Sequence, residues 1–148
     1  MDVVELLSSV HLTDVRTIQT MGELKLDPSG KGLAELDESK RDGELSIAIN
    51  PVAWGRHIEV WFRAQFETSN ALLVAAVAVT YERESEAEIP DETQTEFIEK
   101  VAVMAAYPYL RSMLQGLAAE MRFGTLTLDV LRQGEFQMTP LEADNAAE

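Results

Sequence analysis

The sequence contains no cysteine, which excludes disulfide bonds and thiolate metal sites. Its two histidines, His11 and His57, are too few for a histidine-rich metal site. A phosphate-binding loop is also missing, because Gly30-Lys31-Gly32 lacks the required spacing and a following apolar helix. His57 and Glu59 lie on the polar side of a predicted strand, but no serine or second base accompanies them. We therefore predict no enzyme, no metal site and no cofactor.

Basic residues are scarce as well. The 148 residues include 26 Asp and Glu but only 12 Lys and Arg, which gives a formal net charge of -14 at pH 7. The basic residues are scattered along the chain, so they form no patch that would attract a phosphate backbone. We expect no nucleic-acid partner. An acidic surface favours solubility, or it accelerates association with a basic protein partner.

Long apolar runs are absent too. The best run, residues 71–79, is too short to span a bilayer, and the N-terminus lacks the basic and apolar regions of a signal peptide. We therefore expect a cytoplasmic protein without direct membrane insertion. The length corresponds to one domain, which we predict over residues 1–138, followed by an acidic flexible tail over residues 139–148.

What the sequence does contain is a series of strand patterns. β-Branched, aromatic and aliphatic residues predict strands at 12–26, 44–50, 57–67 and 71–84, with a possible bulge at Gly22 and a strand end at Asn50-Pro51. A short helix or a strand precedes them at residues 2–10. The last strand is apolar on both faces, so its second face needs a covering helix or another subunit. The candidate oligomer-interface residues are Leu72, Val74, Ala76, Ala78, Leu114 and Leu117.

A long helical pattern follows the strands. Apolar residues recur at three-and-four spacing over residues 96–124, at Phe97, Val101, Met104, Ala105, Leu110, Leu114, Leu117 and Met121. Thr93 and Glu96 form a capping-box pattern that predicts a start near Thr93, and Gly124 is placed to end the helix. Pro108 predicts a kink or short break at residues 106–108. The fold class is therefore α+β: a four-stranded antiparallel sheet, a long proline-kinked helix and a short C-terminal helix, assembling as an oligomer.

Two further groups of residues are candidates for binding. Several aromatic residues lie at the borders of the predicted elements, where they could line a groove, although core or subunit-contact positions are the alternative for each. These groove candidates are Trp54, Trp61, Phe66, Tyr107, Tyr109, Phe123 and Phe136. The second group is acidic and recurs at every second residue, which indicates either a docking strip for a partner or a solvated edge, since the EF-hand spacing of calcium loops is absent. It comprises Glu82, Glu84, Glu86 and Glu88.

Around Pro108 the sequence resembles the SecB-type protein-export chaperones. The matching residues are Tyr107-Pro108-Tyr109, Arg111, Leu114, Phe123-Gly124-Thr125, Leu126 and Leu128, and the order of strands, long helix, short helix and acidic tail also matches. The resemblance implies an ATP-independent, homotetrameric chaperone, a dimer of dimers, that holds unfolded client polypeptides in apolar grooves and serves protein export.

The same resemblance implies that the acidic sheet surface docks a translocase motor. The chain departs from the family pattern here, because Val74-Ala75-Ala76 stands where the family has a glutamate. A SecB-like chaperone that protects the antitoxin of a toxin-antitoxin pair is the first alternative. An acidic adaptor or inhibitor of a basic protein partner is the second.

Overall fold

The computed structural model describes residues 1–25, 43–68 and 71–122. The elements in chain order are helix α1 (Val3–Ser9), strands β1 (Val10–Leu24), β2 (Glu44–Trp54), β3 (His57–Glu67) and β4 (Ala71–Arg83), helix α2 (Asp91–Phe97), a π-helical turn (Ile98–Ala102) and helix α3 (Val103–Glu120). The predicted order of an antiparallel sheet followed by a long helix is confirmed. The predicted C-terminal helix, the tail at 139–148 and the helix end at Gly124 lie outside the described residues.

The four strands form one antiparallel sheet in the order β1-β4-β3-β2. The bounds of β3 agree with the prediction, because its alternation of apolar and polar residues is strict. β2 instead continues past Pro51 to Trp54, with a register shift between Pro51 and Ala53. Proline is tolerated there because β2 lies at an edge of the sheet, where a missing N–H need not remove a ladder hydrogen bond.

One face of the sheet carries the hydrophobic core. Along β3 and β4 the core-side residues pair across the strands, for example Val60 with Val79 and Phe62 with Val77. These side chains cluster with α2, the π-helical turn and α3, which contribute Phe97, Ile98, Ala102, Val103, Ala106, Leu110, Leu114 and Ala118. α1 adds Leu6, which is fully buried. The strands and helices thus form two layers around a single core.

The π-helical turn sets the phase of the long helix. Thr93 and Phe97 are buried four residues apart, and Ala102, Ala106, Leu110, Leu114 and Ala118 also follow at intervals of four, but the step from Phe97 to Ala102 is five. Across that step the Val103 N–H donates to the Ile98 carbonyl, five residues back, so the turn contains one extra residue. The predicted apolar face is therefore shifted in this region: Val101, Met104 and Ala105 are only half-buried.

Two details of the long helix differ from the sequence prediction. No break occurs at residues 106–108: α3 runs continuously through Pro108, which lies on its exposed side, and the alternative of a kink there stays a prediction. The helical hydrogen bonding changes upstream instead, at Ile98–Ala102. The start is at Asp91 rather than at a Thr93 capping box, because the Thr93 hydroxyl donates to the Met1 carbonyl at 2.7 Å.

Gly22 does not form a bulge. β1 has register shifts between Leu12 and Asp14 and between Thr17 and Gln19, whereas Gly22 pairs regularly with Leu73. A Cβ atom at Gly22 would lie 2.2 Å from the Met121 sulfur. A side chain at Gly22 would therefore have to displace the flexible thioether of Met121, where the end of the long helix approaches β1.

Candidate functional site

The face of the sheet opposite the core, which we call the open face, carries no helix among the described residues. Its central row is Val74, Ala76 and Ala78 on β4, and β1 and β3 flank this row. These three residues are buried within one chain, with exposed fractions of 0%, 6% and 6%, yet they lie outside the hydrophobic core cluster. Their burial therefore requires a different explanation from that of the core.

Long neighbouring side chains explain it. On β3, Trp61 lies opposite Ala78, Arg63 opposite Ala76 and Gln65 opposite Val74, while β1 places Arg16, Gln19 and Met21 on the other side of the same row. The long side chains shield the short row between them. The sequence predicted that a helix or a second subunit covers this face. No helix within residues 1–25, 43–68 and 71–122 does so. Whether Leu72, Val74, Ala76 and Ala78 also form a subunit interface stays a prediction.

Polar contacts hold several of these long side chains along their strands. The Trp61 indole Nε1 donates to Glu59 Oε2 at 2.5 Å, and Arg63 Nη1 donates to Gln65 Oε1 at 2.9 Å. On β1, Arg16 Nε lies 3.3 Å from Asp14 Oδ2. Exposed pairs of this kind contribute at most about 1 kcal/mol each. These contacts orient the long side chains along the strand, because each contact joins two residues on the same face of one strand.

The aromatic candidates are not brought together in one groove. Phe66 and Tyr107 are buried, at 6% and 8% exposure, so these two candidates are corrected to interior positions. Trp61 lies on the open face with 38% exposure, and Tyr109 lies on α3 with 52% exposure. Trp54 is half-buried at the end of β2. Phe123 and Phe136 lie outside the described residues.

An aromatic cluster joins the end of β2 to α2. The rings of Trp54 and Phe97 meet edge to face at 6.1 Å, and those of Tyr81 and Phe97 at 5.0 Å. Burial raises the pKa of Tyr81 to about 12 because the ionised phenolate would lose its hydration. Sequence reasoning missed Tyr81 and Phe97 as partners of Trp54. The available signal was their position on the apolar sides of β4 and of the helix.

The two helical interface candidates differ in position. Leu114 is 1% exposed and belongs to the core, so the structure corrects it from an interface residue to a core residue. Leu117 is half-buried and packs against the core near Gly22. Sequence periodicity placed both on one apolar face but did not show which of them reaches the surface.

The four acidic candidates are all exposed, but they do not form one extended strip. Only Glu82 lies on β4, and the register places it between His11 on β1 and His57 on β3. Sequence reasoning had paired His57 with Glu59 instead. The other three acids lie between β4 and α2. Within the described chain, no group of three or more His, Cys, Asp or Glu residues is arranged to hold a metal ion.

Arg83 fixes the acidic connection after β4. Its side chain is buried, with 2% exposure, and it donates from Nε to the Ser85 carbonyl at 2.6 Å and from Nη2 to the Ala87 carbonyl. The remaining nitrogen, Nη1, is buried and has no hydrogen-bond partner among the described residues. Sequence reasoning missed this residue, although its odd-numbered position on β4 placed it on the apolar side.

β2 carries an apolar row that the long helix leaves partly uncovered. Leu45, Ile47 and Ile49 lie on the core side of the sheet, opposite Phe66, Ala64 and Phe62. α3 packs against β4, β1 and β3, and Leu45 remains 36% exposed while the two isoleucines are half-buried. A concave region of about 310 Å³ begins at the same end of β2. The residues that line it are Gly43, Glu44, Leu45, Ser46, Gln65, Glu67 and Thr68.

Two SecB-like chaperones are similar to the chain. SmegB of Mycolicibacterium smegmatis (strain ATCC 700084 / mc(2)155) is 29% identical over 138 residues, which cover 93% of this chain and 86% of SmegB. The structure of Mycobacterium tuberculosis Rv1957, in complex with a ChAD peptide from the Rv1956 HigA1 antitoxin, matches with a TM-score of 0.70. That match has 17% sequence identity and covers 87% of this chain and 92% of the Rv1957 chain. The chain therefore shares the fold of Rv1957 and is similar in sequence to SmegB. No protein-family model matches it.

The SecB-like resemblance drawn from the Pro108 region is therefore confirmed. In this chain, Tyr107, Leu110 and Leu114 are buried, whereas Pro108 and Tyr109 are exposed. The motif thus combines packing residues with one exposed aromatic ring. Its second half, residues 123–128, lies outside the described residues. No helix of the described chain is both long and apolar enough to cross a membrane.

Proposed function

We propose that the protein is an ATP-independent chaperone that holds unfolded or apolar polypeptide segments. The observation that carries this proposal is the match to SmegB over 93% of the chain, together with the shared SecB-like fold. Because a holdase acts by binding the unfolded state of its client, it needs accessible apolar surface and a soluble body, and it needs no catalytic group.

The described surface is suited to this task. Exposed apolar side chains occur on α1, on β1, on both ends of β2, on β3 and on α3; they are Val4, Leu7, Leu12, Ile18, Leu45, Val52, Trp61 and Tyr109. Each contact with a client removes apolar area from water and contributes roughly 25 cal/mol per Å². The net charge of -14 keeps a chain with this much apolar surface soluble.

Light scattering of an unfolded client tests the proposal. A chemically denatured model protein is diluted into buffer with and without an excess of the purified chain, in the absence of ATP. We expect the scattering to rise more slowly when the chain is present, and addition of ATP should change nothing. If aggregation proceeds at the same rate and no client is retained in a pull-down, the chaperone proposal is wrong.

Protection of an antitoxin is the second candidate function. It is favoured by Rv1957, whose structure contains a peptide from an antitoxin. Export and antitoxin protection differ in their clients. The test therefore compares how strongly the chain binds an export precursor with how strongly it binds an antitoxin that aggregates when it is alone. Preferential rescue of the antitoxin supports this second candidate, whereas preferential binding of the precursor supports export.

We also propose that the protein works in the cytoplasm as a homotetramer, and that its exposed acids dock a partner such as a translocase motor. Light scattering should then give four times the mass of one chain. Docking through Glu82, Glu84, Glu86 and Glu88 should weaken with salt, because surface charges are screened over about 8 Å at physiological ionic strength. An acidic adaptor would show this salt dependence without suppressing aggregation.

A further inference from the structure

Charge is distributed unevenly over the open face of the sheet. Three successive rows of side chains cross its centre at Val74, Ala76 and Ala78, and each row takes one residue from every strand. These rows contain two arginines and no acidic residue, although the chain has 26 Asp and Glu against 12 Lys and Arg. We call them the acid-free band; row by row it comprises Met21, Val74, Gln65 and Ser46, then Gln19, Ala76, Arg63 and Ala48, then Arg16, Ala78, Trp61 and Asn50.

Acidic rows border the band at both ends. The row at Leu72 contains Glu23, Glu67 and Glu44, of which Glu67 is paired with Lys25 at 2.5 Å. At the opposite end, Asp14 and Glu59 lie on either side of Thr80. The open face therefore carries negative charge at both ends along β4 and positive charge between them.

The two arginines lie on opposite sides of β4. Arg16 is opposite Ala78 and Arg63 is opposite Ala76, so their backbones are separated by two strand spacings of about 4.8 Å across the sheet and by about 7 Å along it. The Arg16 side chain is 76% exposed, and Arg63 is exposed as well. Arg63 donates from Nη1 to the neutral amide oxygen of Gln65, a contact that leaves its charge uncompensated.

The small residues between the arginines leave space above β4. Ala76 and Ala78 present only methyl groups, whereas the side chains on β1 and β3 beside them are long. Both guanidinium groups can therefore approach one carboxylate placed above the alanines, and guanidinium–carboxylate hydrogen bonds are among the strongest in proteins. Trp61 lies beside the same position with 38% exposure and can contact an apolar neighbour of that carboxylate.

We propose that the acid-free band binds an extended segment of a partner protein that carries an acidic residue at its centre and basic residues at its two ends. The segment lies along β4, with its carboxylate between Arg16 and Arg63 and its basic ends beside the acidic rows. This inference goes beyond the chaperone proposal and does not depend on it, because it requires no unfolded client.

Other occupants match the charges less well. A uniformly basic partner matches the two ends but meets the arginines at the centre, and a uniformly acidic partner is repelled by a chain with a net charge of -14. A second copy stacked with its band aligned would place arginines against arginines and acidic rows against acidic rows. Only a segment with alternating charge complements all three zones.

Calorimetric titration of the unaltered protein with two peptides provides the main test. The probe is Lys-Ser-Leu-Ser-Glu-Ser-Leu-Ser-Lys with blocked termini, whose extended length of about 27 Å places alternate residues over the five rows from Leu72 to Thr80. The matched control, Glu-Ser-Leu-Ser-Lys-Ser-Leu-Ser-Lys, has the same composition and net charge. We expect the control to bind about tenfold more weakly at low ionic strength, because its central charge faces the arginines.

Substitution of the arginines provides the second test. Arg63→Gln should weaken binding of the probe by about fivefold, and Arg16→Gln together with Arg63→Gln should remove the preference for the probe over the control peptide. Lys100→Gln is the matched control variant, because it removes the same charge from an exposed side chain in the helical layer, and it should change binding by less than about twofold. Circular dichroism melts show whether the variants fold.

Each outcome decides one question. Equal binding of the two peptides overturns the proposal, and so does an equal loss in Arg63→Gln and Lys100→Gln, because net charge alone would then explain the attraction. An oligomer that Arg63→Gln dissociates shows that a second copy occupies the band. Client aggregation is measured separately: a failure to suppress it overturns the chaperone proposal, whereas the peptide preference tests only the band.

Discussion

Arg83 permits a test of whether the chain needs its buried charge or only its packing. We compare Arg83→Met, which keeps much of the length of the side chain without the charge, with Arg83→Lys, which keeps the charge without the planar fork. The native guanidinium donates to the Ser85 and Ala87 carbonyls, and its third nitrogen, Nη1, has no partner in the part of the chain that the structure describes. Two opposing energies therefore decide the outcome.

The hydrogen bonds favour arginine. A hydrogen bond to a charged group contributes about 1.5–3 kcal/mol, so Arg83→Met loses roughly 3–6 kcal/mol from the two. The same substitution removes the desolvation cost of a buried charge, which is several kcal/mol, and it removes one unsatisfied donor that costs about 1–3 kcal/mol. Ser85 and Ala87 are exposed, so water can reach their carbonyls afterwards. We expect Arg83→Met to change the free energy of unfolding by no more than about 2 kcal/mol.

Lysine should be the worse substitute. Its single ammonium group cannot donate to both carbonyls in the geometry of the planar guanidinium, yet it keeps the desolvation cost of a buried charge. We therefore expect the free energy of unfolding to fall by about 2–4 kcal/mol. Urea unfolding at pH 7 measures both variants, and with a typical slope of about 1–3 kcal/mol per molar urea the midpoint of Arg83→Lys should fall by about 1–2 M. If Arg83→Met is as destabilised as Arg83→Lys or more so, the reasoning about the buried charge is wrong.

Three further predictions concern stability. Leu114→Ala should cost about 2–5 kcal/mol in urea unfolding, whereas Leu12→Ala at an exposed site should stay within about 0.5 kcal/mol; equal losses would contradict the core position of Leu114. The pKa of Tyr81 is raised to about 12, so above pH 10 the unfolded tyrosine ionises first and stability falls by up to about 3 kcal/mol by pH 12. Tyr81→Phe should remove that part of the pH dependence when the free energy of unfolding is measured against pH. If the curve between pH 10 and pH 12 is unchanged, Tyr81 is not its source. Pro108→Ala restores a donor in an uninterrupted helix and should raise the melting temperature, with a gain of up to about 3 kcal/mol; a lower melting temperature would contradict this.

The sheet was predictable because its strands follow simple alternation. β3 alternates without exception and its bounds were correct, whereas β2 was ended too early because Pro51 was interpreted without knowing that the strand lies at an edge. Edge position is a property of strand order, which no local pattern contains. The same holds for Ala76 and Ala78, whose shielding depends on the long side chains that the register of β1 and β3 places beside them.

The helix and the candidate site were predicted less completely. The apolar face was one residue out of phase near Val101, because small residues such as Ala102 and Ala106 gave no strong signal of the step of five. Among the groove candidates, Phe66 could not be distinguished from Trp61 by residue type, although their opposite faces on β3 were known. Arg83 was missed because no local sequence pattern shows that its side chain turns to the carbonyls of Ser85 and Ala87.

The π-helical turn at Ile98–Ala102 also has a consequence for changes in chain length. In a regular α-helix one added residue would rotate everything after it by about 100° and carry the apolar face away from the sheet. Here Phe97 before the turn and Ala106 after it both remain buried, so the extra residue is confined to one turn. Removal of one residue, such as the exposed Lys100, would leave buried residues at a uniform spacing of four. We therefore expect the helix to keep the same buried face when one residue is removed from this turn.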